Sequence, residues 1–393
     1  EQVDEDGKTA LYRAVEDEDI EWVDMLIAAG ADVDAVSSPV NDNEHATSLL
    51  SLAIEKDARA IVERLLEAGT DPDVDIDGPK PALAVAAQES SDYVELLLDA
   101  GADPDVVATG QTLDSLVEPH TSLLMTAIER GQPTIAELLL EAGADVDYTN
   151  AFGWTPLTCA IDHDLHTLGD DDTLADKLLE ENADVNSVDS EGRTALMHAA
   201  SAGASELVDR LLDAGADVHL STPKGRTALH DAAGAYPETV EIVERLLDEG
   251  AEVDAIEEDA GLSGAHTPLT VAIESRNHDS ALRLLEAGAS LRPREDLIAL
   301  FATTEGNAVG CRLLLEHGAD PDARPSENAW TALHMTADAN YTEVVRVLLE
   351  YGADPTLEEE NRKRPIDFAY AASRASSDQD DYSEVIGLLE RAE

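Results

Sequence analysis

The chain of 393 residues carries 85 acidic against 25 basic residues, a formal net charge of −60. A surface of that sign excludes nucleic-acid binding built on Lys/Arg neutralisation of phosphates, and such self-repulsion is tolerable where molar salt screens it over a few ångströms, as in an extreme halophile. Hydrophobic residues make up 43% and aromatics only 4%, which rules out intrinsic disorder and predicts thin cores of Ala, Leu and Val.

The predicted elements repeat along the chain. A Leu-Leu pair followed by Gly-Ala-Asp/Glu recurs with its glycine, or a substitute, at Gly30, Gly69, Gly101, Gly143, Asn182, Gly215, Gly250, Gly288, Gly318 and Gly352, at intervals of 39, 32, 42, 39, 33, 35, 38, 30 and 34 residues. A period near 33 predicts an array of supersecondary units that bury a core only by stacking. The unit read most directly runs from Asp189 through Thr194-Ala195-Leu196-Met197 and Ala199-Ala200 to Gly215-Ala216-Asp217. Thr194 is placed to cap a first helix by accepting an orphan backbone N–H. Thr155-Pro156 and Thr267-Pro268 put proline at the first helical position, where its missing donor costs nothing. Leu207, Val208, Leu211 and Leu212 give the second helix one apolar stripe. Gly215 ends it in the left-handed conformation that glycine or asparagine adopts most cheaply, which also accounts for Asn182.

In chain order the first-helix motifs are Thr9-Ala10-Leu11-Tyr12, Ser48-Leu49-Leu50, Pro81-Ala82-Leu83, Ser122-Leu123-Leu124, Thr155-Pro156-Leu157, Thr194-Ala195-Leu196, Thr227-Ala228-Leu229-His230, Thr267-Pro268-Leu269 and Thr331-Ala332-Leu333-His334. The pattern resembles the ankyrin repeat, whose units read Asp-x-x-Gly-x-Thr-Pro-Leu-His-x-Ala-Ala and then Leu-Leu-x-x-Gly-Ala-Asp. The resemblance implies an all-α repeat solenoid of helix-turn-helix units with β-hairpin fingers, about eleven in a single elongated domain over 1–393. The units fall roughly at 5–36, 41–75, 76–106, 107–148, 149–187, 188–220, 221–255, 256–292, 293–323, 324–356 and 357–393. Unit nine departs from the pattern, with Leu297 and Ala299 where Thr and Leu belong. Unit eleven offers Arg364-Pro365-Ile366, as expected of a polar terminal cap.

Insertions give the array its individuality. From cap glycine to the next capping residue the standard interval is 12 residues, but it is 18 from Gly30 to Ser48, 21 from Gly101 to Ser122 and 17 from Gly250 to Thr267. Three long fingers therefore enter units two, four and eight and should protrude on one face. Unit nine has only 9 residues between Gly288 and Leu297, with Pro293 among them, and is the expected weak junction. In unit five an insertion follows Ala160 and gathers Cys159, His163, His166 and Asp170 to Asp172. These types can ligate zinc, but no Cys-x-x-Cys frames them, and a solvated loop with no metal is the expectation. Asp71-Pro72-Asp73-Val74-Asp75-Ile76-Asp77-Gly78 imitates the start of a calcium loop, yet Ala84 stands where its twelfth-position Glu belongs. Cys159 and Cys311 lie in units too far apart for a disulfide and read as core residues of a reducing compartment.

No apolar run reaches the ~18–20 residues that cross a bilayer, and the acidic first residues lack a signal peptide's basic start, so a cytoplasmic protein without membrane contact is expected. The chain begins with Glu1 rather than Met, which leaves a longer parent chain open. There is no Gly-x-Ser-x-Gly elbow, no phosphate-binding Gly-rich loop with Lys, and no His-Glu-x-x-His helix, so neither catalysis nor a cofactor is expected. His230 and His334 resemble the family histidine that ties neighbouring loops together. The resemblance implies instead a scaffold or adaptor, monomeric, whose finger tips and first helices hold a partner protein. The position before the capping Thr carries Lys8, Trp154, Arg193, Arg226 and Trp330, with Phe152 and Lys224 close by. Trp and Arg dominate interface hot spots, and these seven residues are the candidate binding set, although the same types at that position can simply cover the adjoining loop. Two further readings stay open: an acidic decoy that imitates nucleic acid for basic proteins, and a regulatory arm of a larger enzyme.

Overall fold

A computed structural model describes residues 3–4, 7–36, 47–74, 81–108, 121–166, 174–235, 240–258, 266–291, 306–324, 330–375 and 382–393. The chain forms two compact units, 1–190 and 191–393. In both, helices come in antiparallel pairs stacked side by side, the all-α repeat solenoid expected from the sequence.

The first unit holds α1 (Ala10–Glu16), α2 (Ile20–Ala28), α3 (Leu49–Glu55), α4 (Arg59–Glu67), α5 (Ala82–Glu89), α6 (Ser91–Asp99), α7 (Leu123–Glu129), α8 (Pro133–Glu141), α9 (Pro156–His166) and α10 (Leu174–Glu180). In α1 and α3 a side-chain hydroxyl fixes where the first helix begins. Thr9 Oγ1 accepts from Tyr12 N at 3.1 Å and Ser48 Oγ from Ser51 N at 3.0 Å. First helices pack on first helices, α1 on α3 and α3 on α5, while α2 packs on α4 and α6 on α8. Small residues make the close approach possible, with Ala14, Ala53 and Ala86 fully buried. The unit-five insertion is in part helical, since α9 runs 11 residues where α1, α3 and α7 run 7.

The second unit holds α11 (Ala195–Ser201), α12 (Ser205–Asp213), α13 (Ala228–Gly234), α14 (Val240–Asp248), α15 (Pro268–Glu274), α16 (His278–Glu286), α17 (Ala308–Glu316), α18 (Ala332–Asp338), α19 (Thr342–Glu350), α20 (Pro365–Ala375) and α21 (Ser383–Ala392). Thr194 Oγ1 accepts from Met197 N at 3.3 Å, as its position in the motif requires. Leu207, Val208 and Leu211 are buried and Leu212 half-buried. Gly215 ends α12 at φ 93°, and in the first unit Asn182 fills the same role at φ 66°. The segment 292–305, on which the expectation of a weak junction rests, lies outside the described residues.

The bases of the three long fingers are antiparallel pairs. β1 (Val107–Ala108) pairs with β2 (Thr121–Ser122), with Val107 opposite Ser122. Single bridges join Val36 to Ser48 and Glu257 to His266. The tips, 37–46, 109–120 and 259–265, lie outside the described residues. Successive loops are further joined by an aspartate ladder: Asp34 accepts from Asp71 N at 2.8 Å, Asp73 from Asp103 N at 2.9 Å, Asp105 from Asp145 N at 2.7 Å and Asp147 from Asp184 N at 2.7 Å. In the second unit Asp254 and Asp322 do the same for Ser290 N and Asp354 N.

Candidate protein-binding edge

In the first unit the loop before α9 is organised by one side chain. Asn150 Oδ1 accepts from Phe152 N at 2.9 Å and Trp154 N at 3.0 Å, while Asn150 N donates to the Trp154 carbonyl. The next loop then closes on it, Ser190 N donating to the Phe152 carbonyl at 2.8 Å. With its backbone tied on both sides, Phe152 presents a ring that is 46% exposed, and Trp154 beside it is half-buried. Lys8 has a different setting: its Nζ donates to Glu16 Oε1 at 2.7 Å and lies 5.2 Å from the Tyr12 ring centre. That hydrogen bond raises the Lys8 pKa and lowers that of Glu16.

In the second unit Arg193 and Arg226 converge on one carboxylate. Asp231 of α13, buried, receives Arg226 Nε at 2.8 Å and faces Arg193 Nη2 at 3.5 Å, and Arg226 Nη1 continues to Glu257 at 2.8 Å. Burial by itself lowers the Arg226 pKa, but the two carboxylates outweigh it and the net shift is upward. Burial raises the Asp231 carboxyl against the pull of both arginines. Lys224 is exposed at the neighbouring loop, its carbonyl accepting from Glu258 N at 2.7 Å. Trp330 packs edge-on against Phe368 of α20, ring centres 4.6 Å apart at 63°, with His334 6.4 Å away and Lys363 over Phe368 at 5.5 Å.

The candidates thus divide by environment. Lys8, Arg193 and Arg226 are held by carboxylates of their own chain, Trp330 sits in an aromatic cluster, and Phe152 and Lys224 stand exposed. Phe152 and Trp154 are together in the first unit, Arg193 and Arg226 in the second. Sequence reasoning missed three apolar loop residues, Val36, Val188 and Ile256, each exposed. Their signal was present, since each stands six residues beyond its cap residue, Gly30, Asn182 and Gly250. It also missed Asp231, Glu257 and Phe368, each with one partner in the preceding repeat, Arg193, Arg226 and Trp330 respectively.

His230 and His334 are fully buried ties between loops. Thr227 N donates to His230 Nδ1 at 3.2 Å, which places the proton on Nε2, and that N–H reaches the His266 carbonyl at 3.3 Å. His334 repeats this with Thr331 N and the Lys363 carbonyl. Burial pushes the His230 pKa down to about 4 and lowers that of His334.

Cys159 is buried with Sγ 3.8 Å from Glu129 Oε1, and burial followed by that carboxylate raises its thiol pKa well above the usual range. Cys311 is buried as well, its thiol pushed up to about 12 by desolvation. The side chains of His163 and His166, and all of Asp170 to Asp172, lie outside the described residues. Among the described residues no group of three or more His, Cys, Asp or Glu is placed to hold a metal. Of the calcium-like run, residues 75–78 lie outside the described residues, while Asp73 accepts the Asp103 N–H as a rung of the ladder. Among the described residues no helix is long and apolar enough to cross a membrane.

Family models match the chain in four stretches. A model of the ankyrin repeat matches 6–38, a model of ankyrin repeats in many copies matches 124–167, and a model of ankyrin repeats in three copies matches 165–257 and 290–359. Together they take in more than half of the chain, and no catalytic family is indicated. No curated protein matches it.

Proposed function

We propose, from the premise that this chain belongs to the ankyrin-repeat family, that it is a non-catalytic scaffold or adaptor binding another protein along its finger edge. Such repeats are generally protein-interaction modules. The observation that carries the edge assignment is Phe152, a large apolar ring held exposed by a loop whose backbone is tied on both sides. A preorganised aromatic loses little entropy on binding. Trp154, Val188 and Val36 extend the apolar character in the first unit, and Lys224 and Ile256 contribute in the second. Lys8, Arg193, Arg226 and Trp330 hold loops in position, and their substitution acts on the partner through loop geometry. The setting proposed is the cytoplasm of a cell rich in potassium salts, where screening lets so acidic a surface approach a partner.

The experiment compares the native chain with Phe152→Ser/Val188→Ser as baits in a molar-KCl lysate of the source organism, after matching their thermal transitions. Loss of one discrete partner from the variant supports the edge. Retention of the same proteins by both sinks it. A partner released from both baits as salt rises points instead to the acidic decoy, whose attraction is screened where an apolar contact is not.

A further inference from the structure

Two loops of the first unit, those that carry Phe152 and Val188, are pinned to each other at successive points. Asp147 accepts from Asp184 N at 2.7 Å, and Ser190 N donates to the Phe152 carbonyl at 2.8 Å. Between these pins Thr155 Oγ1 and Ser187 Oγ lie 3.5 Å apart. Gly153 lets the loops close this far. Its φ is 76°, and a Cβ there would lie 2.7 Å from Ser190 N. Among the described residues from 47 to 190, Phe152 and Val188 are the exposed large apolar side chains. Both stand on this one pinned pair, so a single apolar side chain of a partner meets a surface that is already ordered.

The same two loops carry Asp145, Asp147 and Asp184, all exposed. Asp145 accepts from Asp147 N at 3.0 Å and Asp184 from Asn186 N at 2.9 Å, while Asp147 accepts from Asp184 N. Among the described residues none of the three is paired with a lysine or arginine. The second helices of this unit differ. There Arg64 meets Asp24 at 2.5 Å, Arg59 meets Asp92 at 3.2 Å and Lys177 meets Glu137. A neutral or acidic segment laid over Phe152 and Val188 takes unpaired carboxylates out of water at a cost. A lysine or arginine turns the same carboxylates into charge-assisted contacts. Molar salt cuts off attraction beyond about 3 Å but leaves pairs in contact.

We propose that the segment this edge takes from its partner is a basic apolar peptide. One apolar side chain covers Phe152 and Val188, and flanking lysine or arginine side chains meet Asp145, Asp147 and Asp184. The proposal rests on the finger-edge reading above and names the partner's chemistry. It differs from the acidic decoy in needing the apolar contact, which high salt does not screen.

The test passes a pool of synthetic nonapeptides over the immobilised 393-residue chain in 2 M KCl. The central residue is Phe, Leu or Ser, and every other position is Lys, Ser or Glu. The retained peptides are expected to be apolar at the centre and enriched in Lys over Glu by about tenfold. Phe152→Ser/Val188→Ser is expected to abolish the preference for an apolar centre. Asp145→Asn/Asp147→Asn/Asp184→Asn keeps the acceptor oxygens and is expected to abolish the preference for Lys. All these substitutions are at exposed positions, and circular dichroism checks that the fold is kept. A pool that is not retained, or is retained without Lys enrichment, overturns the proposal. So does Lys enrichment that survives the triple Asn variant, which assigns it to the net charge of the whole surface. The finger-edge reading survives either result if the cellular partner still depends on Phe152 and Val188. It falls with the proposal if neither that partner nor the peptides respond to Phe152→Ser/Val188→Ser.

Discussion

Asp231 and His230 are adjacent in sequence and carry opposite kinds of cost. Asp231 is a buried carboxylate that its arginines make tolerable, and removing one partner leaves charge in a low-dielectric site. Arg226→Ala is therefore expected to destabilise the second unit by about 3–5 kcal/mol, measured by denaturant unfolding, with Asp231→Asn costing less because it removes the charge itself. His230 must be neutral to accept from Thr227 N and donate from Nε2. Its folded pKa of about 4 lies below the ordinary 6.5, so the contribution is fully present above pH 6.5 and is lost as pH falls towards 4. Lost completely, it amounts to roughly 3 kcal/mol. His230→Gln removes that titration, and its stability is expected to fall less steeply than the native protein's between pH 6.5 and 4 in chemical denaturation. His230 was visible in the motif and Asp231 was not, and each has a partner on another loop, the His266 carbonyl and Arg193.

At the scale of elements, two glycines with nearly the same φ separate conformational from steric demands. Gly215 ends α12 at φ 93°, with nothing within 4 Å of the place a methyl group would take. Gly225 has φ 88°, but a Cβ there would lie 2.2 Å from the Ile256 carbonyl oxygen. Gly215→Ala is expected to cost about 1–2 kcal/mol, the left-handed penalty alone. Gly225→Ala is expected to cost more and to expose the Lys224–Glu258 loop contact, read as faster amide exchange at Glu258. The helix pairs and their caps were legible because Thr-x-Leu starts and Gly-Ala-Asp stops act within a few residues. The helical extension of α9 to His166 was not, since a seven-residue motif says nothing of how far the helix continues.

Across the whole chain, charge outweighs every other surface property. Acidic residues outnumber basic ones by 85 to 25, and the ladder brings several carboxylates near one another along the loops. Burial raises the Asp73 and Asp322 carboxyls, and the carboxylates of neighbouring rungs push the same way against the N–H each accepts. Screening weakens this repulsion beyond about 3 Å at molar ionic strength. The thermal midpoint is therefore expected to climb steadily from 0.1 to 2 M KCl, followed by circular dichroism, and a flat or falling profile would contradict the halophilic reading. The arginines soften the repulsion locally, as where Arg245 of α14 reaches Asp209 and Asp213 of α12, both at 3.0 Å.

The sequence by itself determined the repeat, its caps and the bases of its fingers, because each depends on backbone preferences and apolar spacing within one helix or turn. It also determined the sign and size of the surface charge. Only the tertiary structure decided which of the candidate binding residues face outward. Arg226 reads the same as Lys224 in sequence, yet it is bound to Glu257 31 residues away. Exposure and ion pairing belong to neighbours that stacking supplies, and stacking joins residues a full repeat apart.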